Sequence, residues 1–131
     1  MMSWQTLLAI GSGGFIGAVL RAYLNGLISH KVPHELPFGT LGVNLVGSFI
    51  MGVLVAYFMY TTFFSLHTKS FLSTGILGAL TTYSTFAIES FLLLEGGHIF
   101  LALVNISLNA IGTVFMAGSG FYLIKYIFKF Q

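Results

Sequence analysis

Residues 38–60 read FGTLGVNLVGSFIMGVLVAYFMY and contain no Asp, Glu, Lys, Arg, His or Pro. Crossing the hydrocarbon core of a bilayer, about 30 Å thick, takes about 20 mostly apolar residues, and this run supplies them with no charge to desolvate. On either side the pattern repeats: apolar runs cover residues 4–28, 70–94 and 99–127. Residues 29–37 hold His30, Lys31, Pro33, His34, Glu35 and Pro37 and read as a polar loop that the prolines keep from being helical. Residues 61–69 form a short connection, and Glu95, Gly96, Gly97 and His98 a turn. The expectation is an all-α membrane protein, a single domain over residues 1–131 with four transmembrane helices and little outside the bilayer.

The composition excludes the soluble classes. The chain of 131 residues is 56% hydrophobic, 16% aromatic and 6% charged, with a mean hydropathy of +0.96, and a soluble surface cannot be built from so few charges. No Lys or Arg precedes the run that starts at Trp4, so the basic start of a cleaved leader is missing and the first helix is expected in the mature protein. The absence of cysteine excludes disulfides and thiolate metal sites. A net charge of +2 is too small and scattered for nucleic-acid binding.

Four spans place the N-terminus, the 61–69 connection and the C-terminus on one side with Lys69, Lys125 and Lys129, leaving Arg21 and Lys31 on the other. Orientation follows an excess of Lys and Arg facing the cytoplasm, and three against two is hardly an excess. The chain can therefore insert both ways, and two oppositely oriented copies can close an antiparallel, dual-topology homodimer about an axis in the membrane plane. Gly13-x-x-x-Gly17 and Ser48-x-x-x-Gly52 have the spacing that lets helices approach closely, and packing within the chain is preferred over a dimer contact for both.

The third run contains Thr74-Gly75-Ile76-Leu77-Gly78-Ala79-Leu80-Thr81-Thr82-Tyr83-Ser84-Thr85-Phe86, two glycines followed by five consecutive hydroxyl residues. Gly, Ser and Thr are mediocre helix formers with local hydrogen bonds of their own to offer. Two readings stand side by side: a helix break, or a continuous helix whose hydroxyls bond back to their own carbonyls. A break would be a site, because irregular backbone survives in a bilayer only where protein buries it or a polar cavity adjoins it. Carbonyls ending the first half could then hold a cation, and amides starting the second could face an anion. The run lies at the centre of its span, so in an antiparallel dimer two breaks could meet and share one cation.

In the fourth run Asn105, Asn109 and Thr113 are spaced four apart and stack on one helical face. They can serve as interhelical glue or as a lining of neutral donors for an anion, and three in register favour the lining. Asn44 offers the same kind of donor in the second run. Tyr83 and Phe86 share one side of a helix and could present ring edges to an anion, although core packing is the default for any phenylalanine here. Glu89 and Arg21 lie near predicted helix ends, where snorkelling to the interface explains them most cheaply. No His, Asp or Glu cluster suggests catalysis, so the chain does not read as an enzyme.

Three stretches resemble a known family. Gly39-Thr40-Leu41-Gly42-Val43-Asn44-Leu45-Val46-Gly47, the segment Gly75 to Phe86 with Glu89, and Gly17-Ala18-Val19-Leu20-Arg21 are similar to the core motifs of the Fluc fluoride channels, also called CrcB, over essentially the whole chain. The resemblance implies a dual-topology dimer in the bacterial inner membrane, with two fluoride pores, passive fluoride export and a central structural Na+. It places the sodium on backbone carbonyls of Gly78 and Thr81 and makes Asn44 a fluoride donor. It makes Phe86 the second of two pore phenylalanines, Ser84 and Thr85 the polar positions between them, and Asn105, Asn109 and Thr113 the fourth-helix polar track. Two departures stand out: Tyr83 replaces the usual first pore phenylalanine, and Ala79 replaces a glycine, which removes some backbone freedom.

Other functional classes fit less well. A small four-helix drug/proton antiporter shares the length and sparse charge but depends on a membrane-embedded carboxylate in its first helix, and residues 4–28 contain no Asp or Glu. A non-transporting membrane subunit would use the polar residues as glue alone, and ion flux through purified protein separates the two.

Overall fold

The computed structural model describes residues 2–129 as four long apolar helical spans: Trp4–Lys31, Phe38–Tyr60, Leu66–Glu95 and Ile99–Lys129. The second span has the expected limits; the other three run longer. The first continues past Ile28 to Lys31, because nothing breaks helix until Val32, whose conformation the following Pro33 restricts. At its start the Ser3 side chain accepts from the Thr6 N–H at 3.2 Å. The third begins at Leu66, ahead of the expected Ser70, because Ser65 caps it by accepting from the Thr68 N–H at 3.2 Å. Its far end reaches Glu95, where Gly97 turns the chain with a φ of +82° that only glycine adopts easily. The fourth continues through residue 127 to Lys129 with no breaker to stop it.

The third span is not uniform. Residues 66–70 are α-helical, Phe71–Leu77 widen into π-helix, and Gly78–Leu80 return to α. Thr81 (φ −81°, ψ 152°) and Thr82 (φ −147°, ψ 117°) are extended, and α-helix resumes over Tyr83–Glu95. The middle of Leu66–Glu95 falls between Leu80 and Thr81, so the extended pair sits half-way along the span. A second π-helical turn, Leu108–Gly112, interrupts the fourth span.

Small residues set the packing. A methyl group on Gly13 would fall on the Phe71 carbonyl and one on Gly17 on the Ile76 carbonyl, so the first span lies backbone to backbone on the π-helical part of the third. Gly52 meets the Ala117 carbonyl and Gly120 the Phe49 carbonyl, which joins the second and fourth spans in the same way. Gly13, Gly17 and Gly52 thus serve contacts within the chain. The interior is unusually polar: Thr40, Asn44, Thr82, Ser90, Asn105 and Asn109 are buried, while Trp4, Phe15, Phe100 and Phe115 point outward. That inversion is what lipid as solvent allows, since apolar side chains gain little by leaving it and polar groups must find partners inside.

Gly17→Val places a branched side chain against the Ile76 carbonyl and should destabilise by about 1–3 kcal/mol, the ordinary cost of overpacking. Gly26→Ala, on the same helix with open space around it, should be neutral or slightly stabilising. Thermal unfolding of both variants in detergent checks this; equal melting temperatures would contradict the backbone contact.

Candidate functional site

Thr81 and Thr82 interrupt the i to i+4 ladder, and side chains take over two of the four donors it loses, those of residues 82 and 85. In an unbroken helix the Thr82 N–H would donate to the Gly78 carbonyl; here it donates to Asn44 Oδ1 at 2.8 Å. The Thr85 N–H would donate to the Thr81 carbonyl; here it donates to Thr82 Oγ1 at 3.3 Å, which makes Thr82 the N-cap of the following helix. The carbonyls released from the ladder are those of residues 78–81, Gly78 and Thr81 among them. The helix ending at Leu80 directs its negative dipole end at the gap and the helix starting at Tyr83 its positive end.

Asn44, buried in the second span, also donates through Nδ2 to the Thr82 carbonyl at 3.1 Å and to Asn109 Oδ1 at 2.8 Å. Asn109 Nδ2 donates to the carbonyl and the Oδ1 of Asn105, at 3.1 and 3.0 Å. Asn105 Nδ2 donates to Ser90 Oγ at 3.0 Å, and Ser90 Oγ to the Phe86 carbonyl at 2.8 Å. One directed chain of donors thus links the second, fourth and third spans.

Against this frame lies an open groove of about 320 Å³ whose lining includes Asn44, Thr81, Thr82, Phe86, Asn109 and Thr113. Tyr83 stands at its edge, 80% exposed, with its ring 5.3 Å from that of Phe86 at 77°, an edge-to-face pair. The lining carries no charged side chain. It offers hydroxyls, amide groups, ring edges and backbone dipoles, a surface that can replace part of an ion's water without binding it as a fixed charge would.

The residues singled out from sequence divide accordingly. Asn44, Tyr83, Phe86, Asn109 and Thr113 come together around the groove. Ser84, exposed, and Thr85, which accepts from Thr82 Oγ1 at 3.0 Å, lie outside its lining. Asn105 is fully buried behind it. Thr113 Oγ1 donates to the Asn109 carbonyl at 2.5 Å, so its hydrogen is engaged within its own helix.

Glu89 departs from expectation. It does not snorkel: Oε1 accepts from Thr40 Oγ1 at 2.7 Å, and Thr40 in turn accepts from Asn25 Nδ2 at 3.2 Å. The carboxylate faces a second cavity, of about 330 Å³, beside Pro37 and Leu93. At its rim Glu35 Oε2 lies 3.2 Å from His98 Nδ1. The signal available in sequence was the register of Thr40 and Asn25, whose polar side chains fall on buried or half-buried faces of otherwise apolar helices.

Comparison with known proteins agrees with this architecture. Residues 8–121 match the family model described as CrcB-like protein, Camphor Resistance (CrcB). A fluoride-specific ion channel FluC of Sulfurimonas denitrificans is 82% identical over 95% of this chain and 96% of its own length. One from Nautilia profundicola is 49% identical over 98% of this chain and all of its own, and one from Campylobacter lari 43% over 92% and 98%. With four apolar spans and a family match that covers nearly all of them, this multi-pass membrane protein belongs to the CrcB family.

Proposed function

We propose that the protein is a fluoride-selective channel giving passive export of fluoride across a bacterial inner membrane. The reading rests above all on the uncharged polar groove beside the extended residues 81–82, half-way along the third span. Fluoride is small and strongly hydrated, so a path must replace its water with closely spaced donors and positive ring edges while leaving it free to move on. Phe86 and Tyr83 present such edges, and the Tyr83 and Ser48 hydroxyls lie beside them, while those of Thr81, Thr82 and Thr113 already donate within the protein. The names of the relatives, at up to 82% identity, favour fluoride among anions. Passive flow suits a lining in which no carboxylate or histidine can alternate between protonation states. A drug/proton antiporter is disfavoured by a first span without Asp or Glu.

The functional unit of this reading is an antiparallel homodimer. The basic residues divide three against two across the membrane, a bias too weak to impose one orientation. The extended pair at mid-span lets two inverted copies bring their third spans to one level. The break frees the carbonyls of residues 78–81, hard, neutral oxygen donors of the kind a structural Na+ takes, and the resemblance selects those of Gly78 and Thr81 among them. Bound there, the ion would supply fixed positive charge at the junction of two copies; it is not transported.

Liposomes holding the purified protein should discharge a fluoride gradient far faster than a chloride one, and equal rates for the two would overturn the assignment. Phe86→Ile, which keeps bulk and removes the ring edge, should lower fluoride flux by about threefold to tenfold.

Replacing Na+ by N-methylglucamine should lower the melting temperature of the dimer in detergent, since an ion that binds the folded form stabilises it. Thr81→Ser should leave that sodium dependence in place, because the ligand is the backbone carbonyl. A melting temperature indifferent to Na+ would remove the cation from the proposal.

Adding two or three Lys beside Lys129 should fix both termini inside, and adding them to residues 29–37 should fix them outside. Either form alone should fail to confer fluoride resistance on cells lacking their own exporter, and co-expression should restore it. Full resistance from one fixed orientation would point to a parallel dimer or a monomer.

A further inference from the structure

Every polar atom of the Asn44 side chain is engaged by protein. A neutral amide has two hydrogens to donate, and those of Asn44 go to the Thr82 carbonyl at 3.1 Å and to Asn109 Oδ1 at 2.8 Å. Its Oδ1 accepts from the Thr82 N–H at 2.8 Å. No hydrogen remains to offer a passing anion. What the side chain does instead is occupy both polar groups of the Thr82 peptide unit, as a neighbouring strand would in a sheet.

We infer that Asn44 is a positioning residue: it is the substitute backbone partner that holds residues 81–82 extended, and Asn109, Asn105 and Ser90 reinforce the amide orientation that the Thr82 peptide unit requires. The inference deepens the channel reading and rests on it for its functional consequence, since the extended pair shapes the groove and releases the Gly78 and Thr81 carbonyls.

The orientation argument follows the donors. Rotating the Asn44 amide by half a turn would set its NH2 against the Thr82 N–H and its oxygen against both the Thr82 carbonyl and Asn109 Oδ1. Asn109 cannot rotate to accommodate it, because its own NH2 is committed to the carbonyl and Oδ1 of Asn105. Asn105 is committed in turn through Ser90 Oγ, whose hydrogen goes to the Phe86 carbonyl. Leaving any of these buried groups unpaired costs more than the net gain from a single hydrogen bond, so the chain is determined in one direction. Asn105 and Ser90 do not line the groove; they touch its lining through Asn109 and, from Ser90, through the Phe86 carbonyl.

The test measures hydrogen–deuterium exchange of the Thr82 amide in the full-length detergent-solubilised protein, with fluoride flux in liposomes alongside. Asn44→Ala should speed Thr82 exchange by about tenfold or more while amides near Gly13 and Gly17 keep wild-type rates. Asn44→Asp, which retains an acceptor for the Thr82 N–H but turns an oxygen on the Thr82 carbonyl and Asn109 Oδ1, should also leave Thr82 exchange faster than in wild type. Ser90→Ala, a small change remote from the groove, should speed Thr82 exchange by about threefold and lower flux. Wild-type exchange at Thr82 in either Asn44→Ala or Ser90→Ala would overturn the inference. Wild-type protein that carries no fluoride yet shows these exchange changes would overturn the channel reading and leave the positioning of Thr82 upheld.

Discussion

Hydrocarbon offers no hydrogen bonds, so each peptide group at membrane depth must find its partner in protein. At residues 81–82 the third span leaves the helix, and the rest of the molecule is arranged to answer for the groups it exposes. The Thr82 peptide unit is paired by Asn44 from the second span, and the Thr85 amide in the first turn of the next helix is capped by the Thr82 hydroxyl. Asn44 can reach only because the second span lies close, and that closeness is repeated at Gly47, where a methyl group would strike the Thr81 side chain. A two-residue departure from helix thus dictates a neighbour, its register and its side chain.

The same requirement explains an interior that would be perverse in water. The largest wholly buried side chains are those of Asn105 and Thr40, and phenylalanines crowd the outer surface. Without a hydrophobic drive between helices, cohesion comes from close backbone approach at glycine and from hydrogen bonds that the chain has no alternative to making. Glycine contacts join the first span to the third and the second to the fourth, and at Gly39 and Gly47 the second to the first and third, while amides and hydroxyls tie Asn25 to Thr40, Thr40 to Glu89 and Asn44 to Asn109. Packing and polarity therefore share the seams of one bundle.

Much of this was legible in the sequence. Apolar runs with at most one charged residue each, bounded by prolines and polar turns, identify the spans, because bilayer thickness imposes a length that periodicity need not supply. The helix ends were less legible: Ser65 is a good cap by type, yet a serine in a polar stretch announces nothing until the amide of Thr68 is seen upon it. The π-helical turns at Phe71–Leu77 and Leu108–Gly112 leave no compositional mark. Asn105, Asn109 and Thr113 read as one stripe, but the stripe divides, with Asn109 and Thr113 on the groove and Asn105 behind it. Asn44 was visible as a donor and invisible as a clamp, since its partner is a peptide group 38 residues away whose availability exists only once the helix has parted. Glu89 was misplaced for a similar reason: proximity to a helix end says nothing of Thr40 waiting on the adjacent helix.

The Asn44 clamp also bears on how the chain is made. Ribosomal synthesis delivers the second span before the third, so when the extended pair enters lipid its partner is already there. The reverse order would leave the Thr82 peptide unit naked in the bilayer, at a cost of several kcal/mol for each unpaired group. Asn109 arrives last, on the fourth span, and finds the clamp closed with its amide already oriented by the Thr82 N–H and carbonyl; its Oδ1 takes the remaining Asn44 hydrogen. Assembly therefore proceeds from capture to reinforcement, and a nascent chain stopped after the third span would already hold residues 81–82 paired.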